Sequence, residues 1–243
     1  MEHINKNYLN KEISRVTEII NEKWEEYLEF YTERNNLVKS YVYGPAVATH
    51  RGYYNPSPVV HHAIRGCNKG PKPKPAIGDI NGEDIMVYGL DVQLRPIYIQ
   101  TWSPPNRPYQ DFEIIQYFKD KVIGITFDEF EPIGIHETQF EDSRITSILT
   151  CYYNHKNKPS LENCQEIIIE LFDNDRPNHF QWKWVQYNPN LSEKVSILLD
   201  RLCEHHGEEY QPIKEMLYEF DTDQLGKVSR MYFDRKLVKD IKK

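Results

Sequence analysis

Apolar residues near the start of the chain recur at helical spacing: Leu9, Ile13, Val16, Ile20, Trp24, Tyr27 and Tyr31 stand four or three positions apart, with charged and polar residues between them. A stripe of that period covers one side of a helix, so residues 8–34 are expected to form one long amphipathic helix laid across the protein's own sheet. Asn35 and Asn36 supply a stop, because asparagine tolerates the left-handed backbone that ends helices. From position 84 the period changes to two. Segments 84–91, 96–102, 111–118, 121–127, 143–154, 165–173 and 178–187 are rich in Ile, Val, Thr, Tyr, Phe and Trp and are bounded by turn residues, the pattern of half-buried strands. Lys119 and Asp120 alone separate the third from the fourth, short enough for a tight hairpin. In the last segment Phe180, Trp182 and Trp184 alternate with polar residues and so share one face. No helix-length segment lies between these strands, which excludes parallel crossovers and predicts an antiparallel meander of about seven or more strands.

The stretches on either side are less regular. Pro45, Pro56, Pro58, Pro71, Pro73 and Pro75 break residues 40–78 into short extended pieces, so a long loop with a short strand around 46–49 is expected. Its run Lys-Gly-Pro-Lys-Pro-Lys-Pro at 69–75 reads as extended and solvated. After the sheet, Ser192 can cap a second helix over 193–206, with Val195, Leu198, Leu199 and Leu202 as its buried stripe and Gly207 as its stop. Residues 213–220 fit a helix by the spacing of Ile213, Met216, Leu217 and Phe220, and a strand by the alternation from Tyr218 to Asp221. Residues 235–243 read as a frayed charged tail. The expected fold is α+β in a single domain, 1–243: an N-terminal helix (1–38), a basic proline-rich loop (39–78), an antiparallel sheet (79–190), and a C-terminal helix with a hairpin or helix (191–243).

Composition narrows the setting. No apolar run approaches the roughly 18–20 residues of a membrane-spanning helix, and the opening Met-Glu-His-Ile-Asn lacks the basic-then-apolar order of a secretory signal. Cys67, Cys151, Cys164 and Cys203 are far apart in sequence with no Cys-x-x-Cys pair, so reduced thiols in a cytoplasmic protein are expected. The net charge of −7 is an average over segregated parts. Residues 39–78 carry 6 bases and no acid, whereas 79–175 carry 18 acids against 7 bases. Such segregation bears on partners more than on folding.

One pattern recurs along the sheet: an alternating aromatic strand ends in Asp or Asn, a short polar turn follows, and a basic residue opens the next strand. It reads Tyr88-Gly-Leu-Asp91 before Arg95-Pro96, Cys151-Tyr-Tyr-Asn154 before Lys158-Pro159, Glu170-Leu-Phe-Asp173 before Arg176-Pro177, and Tyr218-Glu-Phe-Asp221 before Lys227. An Asp or Asn there bonds its own backbone in an Asx-turn, and proline fixes φ as the chain leaves it. These stretches resemble the Tyr-Asp repeats of Rhs-type proteins and the hairpins of immunity proteins encoded beside polymorphic toxins. The resemblance implies β-hairpins and an origin in a toxin neighbourhood.

Three clusters are candidate chemistry. His50, Arg51, His61, His62 and Arg65 lie in the basic segment, where paired histidines and bidentate arginines suit a metal-free nuclease or phosphate site, beside the aromatics of Tyr53 and Tyr54. Cys203, His205 and His206 offer three zinc ligands without a fourth nearby, and histidines at a helix end have a sufficient electrostatic reason to be there. Asp128, Glu129 and Glu131, with His136, Glu137, Glu141 and Asp142, read as an acidic rim on the sheet. No phosphate-binding glycine loop, dinucleotide fingerprint, nucleophile elbow or His-Glu-x-x-His is present, and neither a cofactor nor a metal is expected.

Two readings follow. The first is a non-catalytic, immunity-like inhibitor whose acidic sheet face covers a basic protein partner such as a toxin, with Asp128, Glu129, Glu131, Glu137, Trp182 and Trp184 as contact residues. The alternative is a nucleic-acid-processing or phosphate-binding enzyme using His50, Arg51, His61, His62 and Arg65, with nucleic acid as partner only in that case.

Overall fold

Helix α1 spans Lys6–Leu37, two residues longer at the start and three at the end than its apolar stripe suggests. Asn5 caps it, its Oδ1 accepting the Tyr8 N–H at 3.0 Å, and the Val38 N–H donates to the Arg34 carbonyl at 2.8 Å. Asn35 and Asn36 therefore lie within the last turn and are not the stop. The buried side of α1 is the expected one: Leu9, Ile13, Val16, Ile20 and Tyr27 have no solvent exposure. Each full burial of an aliphatic side chain of this size contributes about 1.5–3 kcal/mol, so docking on the sheet, more than helix propensity, holds α1.

The computed structural model describes residues 4–45, 85–103, 107–142, 144–154, 158–176, 179–189, 213–222, 228–233 and 236–240. They form twelve strands: β1 (Ser40–Pro45), β2 (Ile85–Leu90), β3 (Pro96–Ser103), β4 (Arg107–Tyr117), β5 (Lys121–Asp128), β6 (Glu131–Glu141), β7 (Arg144–Tyr153), β8 (Cys164–Arg176), β9 (His179–Tyr187), β10 (Ile213–Thr222), β11 (Val228–Phe233) and β12 (Lys236–Asp240). They lie side by side in chain order in one sheet, every neighbouring pair antiparallel. Eleven gaps of about 4.8 Å make the sheet roughly 50 Å wide, and 32 residues of helix reach about as far. Helix α1 contacts β4, β5, β6 and β8, and lies across one face.

All seven strands read from the alternating segments are present. Four departures have physical reasons. Tyr41, Val42 and Tyr43 precede the first proline, and pairing with β2 turns the start of the expected loop into β1. Residues read as an acidic rim form the central strand β6, whose Ile135 and Glu137 turn inward. Residues 213–222 settle as strand β10, because Met216, Tyr218 and Phe220 pair with Trp184, Trp182 and Phe180. The charged tail supplies β12, an outer strand bearing lysines, the composition that resists edge-to-edge pairing. The expected strand at 46–49 and helix at 193–206 lie outside the described residues. Among the described residues α1 is the only α-helix, joined by one 3-10 turn at Leu161–Asn163.

Asp91 bears out the Asx-turn expected of the recurring hairpin. Its Oδ1 accepts the N–H groups of Gln93 and Arg95 at 2.8 and 2.9 Å, while Oδ2 takes two bonds from the Arg95 guanidinium at 2.9 and 2.7 Å. These bonds hold the Asp91 carboxyl below its ordinary range although partial burial works the other way. In the Asn154 copy Asn163 braces the connection: its side chain accepts the Ser160 N–H at 2.8 Å and donates to the Lys158 carbonyl.

Candidate functional site

Alternation along the strands assigns side chains to the two faces. Val185, Ile135, Phe112, Ile114, Ile123 and Ile125 pack into the core under α1. Trp182, Trp184, His136, Glu113 and Gly124, their alternating neighbours, therefore point to the far face. That face carries two apolar clusters, one around Tyr88, Leu90, Ile99, Ile115 and Val122, the other around Trp182, Phe220 and Met231.

Between them sits a histidine–carboxylate pair. His136 on β6 reaches over β5 so that its Nδ1 lies 2.5 Å from Glu113 Oε1 on β4. The strand between can be crossed because position 124 is glycine: a Cβ there would lie 1.9 Å from His136 Cε1 and 2.4 Å from Glu113 Oε1. The carboxylate orients the imidazole and fixes which nitrogen faces it, as carboxylates do for histidines in acid–base sites and for histidines that ligate metals. Gly124→Ala is expected to expel the ring and cost about 2 kcal/mol in a chemical-denaturation experiment, since a forced rotamer shift at a well-packed site costs roughly 1–3 kcal/mol. An unchanged denaturation midpoint would show that the pair contributes nothing to the fold.

A second such pair joins β9 to β10. His179 Nδ1 lies 3.2 Å from Asp221 Oδ1, and the Tyr232 hydroxyl donates to Asp221 Oδ2 at 2.9 Å. Partial burial opposes the charge of Asp221, but the bonds from His179 and Tyr232 hold its carboxyl below the ordinary range. Among the described residues no group of three His, Cys, Asp or Glu is placed to hold a metal ion.

The residues singled out from the sequence fall into three groups. His50, Arg51, His61, His62 and Arg65 lie outside the described residues, as do Cys203, His205 and His206. Glu137 and Trp182 are inside the protein, with 1% and 4% exposure. Glu137 accepts from Arg15 Nη2 of α1 at 2.8 Å and from Gln139 Nε2 at 2.9 Å, with Lys121 Nζ at 3.7 Å, so it belongs to the helix–sheet joint and not to a rim. Trp182 Nε1 donates to Glu170 Oε2 at 2.8 Å, and its ring lies 5.5 Å from Tyr218. Trp184 is half-buried beside it. Asp128, Glu129 and Glu131 occupy an exposed turn between β5 and β6, where Asp128 is half-buried, and Glu141 and Asp142 are exposed at the turn that follows β6.

That turn has an unusual backbone. Glu129 and Phe130 have φ of 48° and 71°, the left-handed pair of a two-residue hairpin normally built from Asn and Gly. For side-chain-bearing residues this costs on the order of 1–2 kcal/mol each. Phe130 recovers part of that through its ring, 5.7 Å from Tyr31 of α1 and 5.8 Å from Phe112, yet 53% of it stays exposed. An exposed aromatic flanked by Glu129 and Glu131 thus sits against the last turns of α1.

The solvent side of α1 is a second acidic surface. Glu18, Glu22, Glu25, Glu29 and Glu33 recur at helical spacing and are all exposed. Lys23 answers Glu26 at 3.9 Å. Four acids of the sheet, in contrast, are engaged internally: Glu113 with His136, Glu137 with Arg15, Glu166 with Gln186, and Glu170 with Trp182. Nothing in the sequence marked the helix as the acidic surface, because its five bases dilute the count of its acids until the exposed side is viewed separately. No protein-family model, curated protein or solved structure shows significant similarity to the chain.

Proposed function

We propose that the protein is a non-catalytic binding protein that covers a basic partner protein, in the manner of an immunity-like inhibitor. The observation that carries this reading is the acidic stripe Glu18–Glu22–Glu25–Glu29–Glu33, exposed along the outer side of α1. Like charges four apart on a helix are mutually destabilising by a few tenths of a kcal/mol per pair. A row of them kept on one exposed side is better suited to meeting positive charge than to supporting the helix. Phe130 supplies the apolar anchor that interfaces use at their centre, with carboxylates around it setting orientation and encounter rate. The acidic contact surface thus moves from the sheet face, where four acids are internally bonded, to the outer side of α1 and the β5–β6 turn.

The test is retention of a basic protein from the native host on immobilised wild-type protein, compared with the variant Glu22→Lys/Glu25→Lys/Glu29→Lys. Reversing three charges is expected to weaken retention at least roughly tenfold at low salt, and salt near 0.5 M, where screening acts within about 4 Å, should remove most of the difference. Equal retention by both proteins, or none by wild type at low ionic strength, would overturn the reading. All substituted positions are exposed, so folding of the variant is expected to match wild type within about 0.5 kcal/mol.

A further inference from the structure

Two cysteines thirteen positions apart meet inside the protein. Cys151 on β7 and Cys164 at the start of β8 are reduced thiols with no solvent exposure, and their sulfurs lie 3.4 Å apart. Register explains the approach. Cys151 stands opposite Ile167 and Cys164 opposite Tyr153, and the irregularity at Tyr152/Tyr153, which leaves Gln165 without an opposite residue, slides Cys164 toward Cys151. A sulfur–sulfur bond is about 2.05 Å, so closure needs an approach of about 1.4 Å between side chains on adjacent strands.

The surroundings give closure a consequence. The loop between the two cysteines carries Pro159, whose carbonyl accepts from Asn21 Nδ2 of α1 at 3.0 Å. Tyr153, two residues from Cys151, shares a 2.9 Å hydrogen bond with Thr17 of α1. The thiol pair thus lies where the β7–β8 connection is tied to the helix.

We propose that Cys151 and Cys164 form a reversible intramolecular disulfide, closed by a low-molecular-weight disulfide such as glutathione disulfide. The two thiols lose two protons and two electrons as the sulfur–sulfur bond forms. The small disulfide gains both and leaves as two thiols, by way of a mixed disulfide on one cysteine that the other displaces. The hydrogen bond with Cys151, and burial after it, push the Cys164 thiol up from its ordinary value. Exchange is therefore slow in the closed fold and fast while the chain folds or the β7–β8 pair opens.

The experiment unfolds and refolds the whole wild-type chain in a buffer of oxidised and reduced glutathione, alongside a folded sample kept in the same buffer. Each is alkylated, digested and mapped by mass spectrometry. The expected result is a cross-linked peptide pair joining Cys151 to Cys164, two hydrogens lighter than the reduced pair, with a melting temperature above that of the reduced protein. Dithiothreitol should reverse both changes. Alkylation of both thiols after oxidative refolding would overturn the proposal. So would glutathione left on either cysteine without the cross-link, or bonds from Cys151 or Cys164 to Cys67 or Cys203 in its place.

Discussion

Arg15→Ala is expected to lower stability by about 3 kcal/mol, because it strips the main partner from a buried carboxylate. Glu137 is 1% exposed, so its charge cannot be returned to water without moving α1. Lys121 at 3.7 Å and Gln139 at 2.9 Å remain after the substitution, which places the loss at the lower end for a broken buried pair. Urea denaturation at constant slope is the measurement, and a shift no larger than that of a surface substitution would remove the joint from the account of the fold. The same group sets an acid limb. Burial raises the Glu137 pKa, but the bonds from Arg15 and Gln139, with the charges of Arg15 and Lys121, outweigh it and hold the carboxyl below its ordinary value. A carboxyl depressed in the native state contributes stability that is complete above the unfolded value of about 4.3 and is lost as pH falls through the native value. Glu137→Gln is therefore expected to be less stable than wild type near neutrality and to lose less on acidification below about pH 4. Parallel pH profiles for the two proteins would refute the assignment.

The periodicities that identify α1 and the seven alternating strands are local, and local signals survived folding: the stripe Leu9 to Tyr27 is buried, and Asp91 makes the Asx-turn its neighbours imply. What the sequence concealed depends on residues far apart in the chain. Glu131–Glu141 carries a proline, a glycine and three acids, the composition of a turn-rich surface, yet Glu137 is neutralised by an arginine 122 positions earlier. No window contains both partners. The His136–Glu113 pair spans three strands and depends on the absence of a side chain at Gly124, which is visible only once register is known. Cys151 and Cys164 meet through a one-residue irregularity, a feature with no signature in residue spacing. Residues 213–222 became a strand where their own pattern was ambiguous, because rings on β9 stood ready to pair with theirs. Tertiary partners decided what local propensity left open.

Trp182→Ala is expected to cost about 3–5 kcal/mol of stability, the range for deleting a buried aromatic side chain. As a contact residue Trp182 would give a different result, a weakened partner and an unchanged fold, so the two accounts separate on one variant. The ring is 4% exposed and packs with Phe220 and Met231 beneath the half-buried Phe172, Phe180 and Tyr218. Few of these neighbours can close the cavity, because they are themselves stacked: Phe180 on Phe220 at 4.7 Å, and Tyr218 against Phe233 at 4.9 Å. Trp182→Phe keeps most of the apolar contact and removes the bond from Nε1 to Glu170, so a smaller loss of about 1 kcal/mol is expected. Denaturation midpoints of the two variants, measured beside retention of a basic partner at low salt, give the decision. If Trp182→Ala remains as stable as wild type while partner retention falls, the ring belongs to an interface after all. If stability falls in the order wild type, Phe, Ala, the aromatic ladder of β8–β11 is internal framework. The proposed contact with a partner then rests on Phe130, its flanking glutamates and the carboxylates of α1.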